Sequence, residues 1–189
     1  MNMEEKTISS RLIFDGRVVH LYEDEVELPN GKTSGREYVK HIGAVCVLPL
    51  TDDGQVVLEH QYRYPFASVL VEIPAGKLDS SDEDPRAAAL RELEEETGFV
   101  ASELISLGDY YGSPAILGER IRMYLARGLT GGQRHLDEDE FLEVFQMPLE
   151  KVVDEVLAGN IPDGKTHVAV LKVYTMMQKE KEQAGKNAE

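Results

Sequence analysis

"LRELEEETGFV", residues 90–100, sets four glutamates, Glu92, Glu94, Glu95 and Glu96, within five positions and stops at Gly98. Carboxylates three and four apart on a helix repel each other by about 0.2–0.5 kcal/mol per pair. On a wheel of ~100° per residue, Ala89, Leu90, Leu93 and Thr97 form one stripe suited to a core. Glu92, Glu95 and Glu96 fall in a single arc beside it, where the small Ala88 takes little room, while Arg91 and Glu94 point elsewhere. Asp84 supplies an N-cap, Pro85 a natural first helical residue and Gly98 a stop, so the spacing predicts a helix over 85–97. An acidic run is ordinarily a solvated face. This one abuts the apolar stripe, and it follows "VEIPAG" (71–76), whose Pro-Ala-Gly turn can offer carbonyl oxygens to the same place. Mg²⁺ and Mn²⁺ take oxygen sets of that kind, a few carboxylates completed by substrate phosphates.

The rest of the chain sets bounds on the chemistry. Its 189 residues suit one ordinary domain, and 42% hydrophobic with 29% charged residues is a globular composition. A formal net charge of -15 opposes nucleic-acid phosphates and anionic lipid, so neither is an expected partner. Cys46, the single cysteine, lies in the apolar run "GAVCVLPL" (43–50). An internal disulfide is thereby excluded, a cysteine zinc site is disfavoured, and the residue reads as a small buried hydrophobe. "MNMEEKTISS" has no apolar leader segment, and no run approaches the ~20 apolar residues of a membrane span. The expectation is a soluble, cytoplasmic protein.

Residues 10–62 read as strands separated by turns at "PNGK" (29–32) and "TDDG" (51–54). In "VVHLYEDEVEL" the apolar parity switches between Val19/Leu21 and Val26/Leu28, which suggests a bulge or two short strands. "GAVCVLPL" reads as a strand covered on both faces. Further strands are expected at 69–76, 104–111, 120–126 and "FLEVFQM" (141–147). Leu149, Val152, Val153, Val156 and Leu157 have the spacing of an amphipathic helix, Val170 to Met177 mark a last one, and the polar tail after it is expected to fray.

The segment Gly76 to Phe99 resembles the Nudix box, G-x5-E-x7-R-E-U-x-E-E-x-G-U, with U a bulky apolar residue. "RELEEETGF" (91–99) matches its second half at each fixed position, and Glu83 lies the required distance before Arg91. Six residues rather than five separate Gly76 from Glu83, so the extra one falls in the loop and leaves the helix phase unchanged. Beyond the box, "VELPNGK", "REYVKH", "QYRYP", "VEIPAGK", "GSP" and "LDEDE" are similar, in order, to the ADP-ribose pyrophosphatase branch of that family. The resemblance implies an α/β/α sandwich with a mixed sheet and an N-terminal antiparallel β segment. Residues 1–42 would be that segment, exchanged across a homodimer, and 43–189 the catalytic domain.

It also implies hydrolysis of a nucleoside diphosphate linked to another group: ADP-ribose to AMP and ribose 5-phosphate, or a related nucleoside diphosphate sugar. A ligand-sensing module without catalysis is the alternative of a different class. The expected metal-holding groups are Glu92, Glu96, the Ala75 carbonyl and Glu140. Glu95 would be a further ligand or a brace for one, and it stands with Glu138, the general base, among the catalytic candidates. Arg91 would orient a glutamate. Arg63 would hold a phosphate, Arg36 and Glu37 the adenosine part, and Ser113 and Glu119 the far end of the substrate. Ala115 replaces the glycine usual after "SP" in this branch, which bears on substrate choice. His41 and His135 read as unpaired surface or edge residues.

Overall fold

The computed structural model describes residues 2–136 and 141–186. The chain divides into two compact units, Met1–Gly43 with Tyr111–Arg120, and Ala44–Tyr110 with Ile121–Glu189.

In the first unit, β1 (Lys6–Asp15), β2 (His20–Glu27) and β3 (Thr33–Lys40) form an antiparallel sheet in that order. The "PNGK" turn closes β2 onto β3, with the Leu28 amide bonded to the Lys32 carbonyl at 2.8 Å. The parity switch expected in β2 is not a bulge there, because β2 and β3 pair without interruption. Val19 and Leu28 lie outside the strand, and the two register shifts sit in β1, at Thr7/Ser9 and Leu12/Phe14. β1 is exposed along its length. The loop Tyr111–Arg120 joins this unit through Val39, whose amide bonds the Ile116 carbonyl and whose carbonyl accepts from the Gly118 amide.

The second unit is built on β4 (Ala44–Pro49), buried at every position. The other strands are β5 (Gln55–Arg63), β6 (Ser68–Glu72), β7 (Ala75–Lys77), β8 (Phe99–Tyr110), β9 (Ile121–Gly131) and β10 (Leu142–Pro148). The helices are α1 (Pro85–Thr97), α2 (Leu149–Leu157) and α3 (Gly164–Lys186). One sheet has the order β7-β4-β9-β8, with β4 and β9 parallel and the other pairs antiparallel; a second runs β10-β5-β6.

The apolar run in β4 has two readers. Val45 and Val47 pack with Ala88, Ala89 and Leu93 of α1, whereas Cys46 and Leu48 belong to the cluster of Val152 and Val156 of α2 and Ala169, Val170 and Val173 of α3. Helices therefore cover both faces of a mixed sheet, the α/β/α arrangement expected. Truncating a buried leucine such as Leu93 to alanine would cost about 2–5 kcal/mol. Burial pushes the Cys46 thiol up to about 12, which suits an inert core side chain.

Helices α1 and α2 have the bounds their spacing predicts. α3 does not fray after Met177 but runs on to Lys186, since the polar tail holds good helix formers, Lys, Glu, Gln and Ala. No helix among the described residues is long and apolar enough to cross a membrane.

Candidate active site

Both ends of α1 are fixed locally. The Asp84 carboxylate accepts from the Arg86 and Ala87 amides at 3.3 Å. Gly98 takes φ 74°, a left-handed conformation that costs glycine little, and its amide closes on the Glu94 carbonyl at 2.8 Å. Between these caps the helix buries Ala88, Ala89, Glu92, Leu93 and Glu96. Two of its four clustered glutamates are thus on the inward face, and Glu95 and Glu94 are half-exposed.

The buried carboxylates meet the start of β7, a strand where the sequence suggests a turn. The Ala75 amide donates to Glu96 Oε2 at 2.9 Å. Gly76 lies against Glu92 so closely that a Cβ added there would overlap the Glu92 carboxylate. Backbone pairing of Ala75 with Cys46 and Gly76 with Val45 makes this segment the strand β7 and holds it on β4. The glycine that begins the sequence box is therefore required by the space the glutamate fills.

Arg91 works as a fork among carboxylates. Nη1 donates to Glu92 Oε1 at 2.8 Å and Glu95 Oε2 at 2.9 Å, and Nε to Glu83 Oε1 at 3.2 Å. Burial opposes its charge, but the bonds to Glu83, Glu95 and Glu92 and the field of Glu92 outweigh that and hold its pKa above the ordinary arginine value. Glu83 also accepts from the Asp79 amide at 2.6 Å, the main cause of its lowered pKa. The inserted residue is thus accommodated in a loop that Glu83 braces from within.

A divalent cation fits this donor set. Among the described residues, no three His, Cys, Asp or Glu side chains form a ready-made metal cage. Mg²⁺ is commonly held by one or two carboxylates, with waters and substrate phosphates completing the set. Two buried carboxylates, one with its position shaped by a glycine and the other tied to a backbone amide, match that mode.

A second charged cluster lies in the same unit. Arg63 does not stand open to a phosphate with its whole fork. Nε and Nη2 donate to Glu72 Oε1 and Oε2, both at 2.7 Å, and the side chain is 36% exposed. Glu72 is buried and also accepts from Lys165 Nζ, which lies 3.2 Å from Asp163 Oδ1. Burial opposes the Glu72 charge, but Arg63 and Lys165 more than offset it and keep the carboxyl below its usual range. "QYRYP" shows an arginine but gives no hint that a glutamate nine residues on takes two of its donors.

Arg36, Glu37, His41, Ser113 and Glu119 lie in the first unit. Arg36 is paired with Glu5, Nε to Oε2 at 2.8 Å and Nη2 to Oε1 at 2.5 Å. Glu37 is exposed, opposite Glu23 on β2. The exposed Ser113 accepts the Ile116 and Leu117 amides through its carbonyl, forming the turn that carries Ala115. Glu119 has a partner the sequence did not suggest: His41 Nε2 is 3.7 Å from Glu119 Oε1, while His41 Nδ1 accepts the Gly43 amide at 3.0 Å. His41 is therefore a half-fixed pair member rather than an unpaired edge residue. His135 is exposed, with its amide on the Glu95 carbonyl at 3.0 Å. Glu138 and Glu140 lie outside the described residues.

Comparison with known proteins shows what the chain is similar to. Residues 40–168 match the NUDIX domain, and residues 5–39 match the nucleoside diphosphate sugar hydrolase N-terminal domain. The chain is 47% identical over 171 residues to an ADP-ribose pyrophosphatase of Bacillus subtilis (strain 168), covering 89% of this chain and 92% of that one. It is also 47% identical over 169 residues to a methanol dehydrogenase activator of Bacillus methanolicus, covering 88% and 91%. A solved ADP compounds hydrolase superposes with a TM-score of 0.84 at 21% identity, over 95% of this chain and 98% of that one.

Proposed function

The chain belongs to the Nudix family, and from that premise we propose that it hydrolyses the diphosphate linkage of ADP-ribose, or of a closely related nucleoside diphosphate sugar, to AMP and the sugar phosphate. The observation that carries this reading is the pair of buried glutamates, Glu92 and Glu96, set against Ala75 and Gly76 at the start of β7. Glu92, Glu96 and the Ala75 carbonyl, with Glu95 and Glu140 as further contributors, would hold Mg²⁺ or Mn²⁺. The bound ion would supply positive charge against the substrate diphosphate, which a chain of net charge -15 otherwise repels.

The protein's own groups do the rest. Arg91 holds Glu92 and Glu95 in place through one nitrogen. Arg63 offers the part of its guanidinium not taken by Glu72 to a phosphate. Glu138 accepts the proton of the attacking water. The assignment is supported by the chain leading into "LDEDE": the Gly132 and His135 amides bond the Gly98 and Glu95 carbonyls, so it runs along the C-terminal end of α1. Arg36, Glu37, Ser113 and Glu119 bind the nucleoside and sugar. We place the enzyme in the cytoplasm as a homodimer that exchanges residues 1–42; the exposed β1, with Ile8, Leu12, Ile13 and Phe14 uncovered, supports that exchange.

The similarity to the methanol dehydrogenase activator favours a second reading, in which the same hydrolysis serves to activate a partner enzyme. Product release from ADP-ribose, ADP-glucose, GDP-mannose, NADH and diadenosine polyphosphates, each with Mg²⁺ and with chelator, tests the main one. Metal-dependent preference for ADP-ribose supports it. Preference for another substrate retains the helix and discards the pocket assignments, and no turnover of any would leave a sensing module.

A further inference from the structure

α3 begins with a residue that electrostatics disfavours there. Lys165 is in the first turn, where the helix dipole already presents positive charge, and it is 7% exposed. Its ammonium is held by Glu72 and Asp163. Burial would lower its pKa, but those two carboxylates hold it above the ordinary lysine value. Asp163 caps the same turn, accepting from Thr166 N at 2.9 Å and Thr166 Oγ1 at 2.6 Å. Thr166 Oγ1 in turn accepts the Ile73 amide at 3.0 Å. One helix end thus grips Glu72 and Ile73, which lead through Pro74 into β7.

Glu72 has two customers, Lys165 and Arg63, and a carboxylate neighbour, Glu59, directly opposite it on β5. Both glutamates are buried, and both charges act on Arg63. Without Lys165, the Glu72 carboxylate would lose one of its two cations and be free to draw Arg63 inward. We infer that Lys165 is a positioning residue: by neutralising part of the Glu72 charge and fixing its carboxylate, it holds the Arg63 guanidinium in the orientation that receives a substrate phosphate. This rests on the reading of Arg63 as a phosphate-binding group.

The test is a kinetic cycle in the full-length chain, with ADP-ribose and Mg²⁺, for Lys165→Met, Arg63→Met and the double variant, each also melted. An arginine that binds substrate and transition state alike acts on KM. Arg63→Met is expected to raise KM by about tenfold or more with a smaller change in kcat. Lys165→Met should raise KM several-fold in the parent and not further in the Arg63→Met background, while its loss of thermal stability persists in both. The same KM factor in both backgrounds, or none in the parent, would overturn the positioning role. An unchanged KM in an active Arg63→Met enzyme would instead remove the phosphate reading beneath it. If Lys165→Met does not fold, Glu72→Gln replaces it in the cycle, with the same KM rise expected and the same suppression by Arg63→Met; additivity there also sinks the inference.

Discussion

The two charged clusters of the second unit share their charges differently: one arginine spans several carboxylates in the first, and two cations converge on one carboxylate in the second. At α1, one arginine, Arg91, is shared among four carboxylates, Asp79, Glu83, Glu92 and Glu95. At the start of α3, two cations, Arg63 and Lys165, share the buried Glu72, with Asp163 on Lys165 and Glu59 opposite Glu72. Buried charge needs compensation. The first cluster leaves negative charge that a further cation can occupy, and the second leaves an arginine whose remaining donors can meet an anion. A substrate diphosphate joined to a divalent ion requires both kinds of place.

The strongest blow to that contrast is Glu96→Gln. It should cut turnover by roughly a hundredfold or more, the scale of losing one preorganised electrostatic group, whereas Glu94→Gln should keep most activity. Equal losses would mean that the arc on α1 has no special role. Gly76→Ala comes next. A methyl group driven into the Glu92 carboxylate should destabilise by about 1–3 kcal/mol, as overpacking does, and weaken metal binding, read by urea melts and by Mg²⁺ titration. A protein that accepts the methyl without either effect would show β7 and the helix to be loosely apposed.

Asp84→Ala sharpens the comparison by loosening α1 alone. Loss of the cap should cost about 1 kcal/mol of stability, with no effect on the KM shift caused by Arg63→Met. The smallest effect concerns acid. Although burial opposes the Glu72 charge, Arg63 and Lys165 keep its folded pKa below the unfolded one. Its contribution is therefore complete above the ordinary glutamate value and is lost as pH falls through the folded value. Melting temperatures taken down the acid limb should fall more steeply for the parent than for Glu72→Gln; parallel curves would contradict the assignment.

What was readable in the sequence follows from distance along the chain. The caps of α1 and the apolar run of β4 are local signals that the fold honours; the phase of the glutamates holds for Glu92 and Glu96, whereas Glu95 is half-exposed and Arg91 reaches back to it. The bond between Lys165 and Glu72 spans 93 residues, and that between Arg36 and Glu5 spans 31, so no spacing rule could announce either. The same holds for Glu119, which meets His41 only because the Tyr111–Arg120 loop returns to β3. "PDGKTH" (162–167) did carry one overlooked hint, a lysine beside an aspartate at the start of a helix. β2 misled for the opposite reason: two apolar residues counted in its pattern, Val19 and Leu28, lie beyond its ends.

Calorimetric titration of Mg²⁺ into the substrate-free parent, Glu96→Gln and Glu94→Gln tests the central claim most directly. The charge left on the buried face of α1 predicts that the parent and Glu94→Gln bind the ion alike, and that Glu96→Gln loses most of the affinity. Equal binding by all three would contradict the claim, because the ion would then answer to the net acidity of the surface rather than to the carboxylates that α1 turns inward.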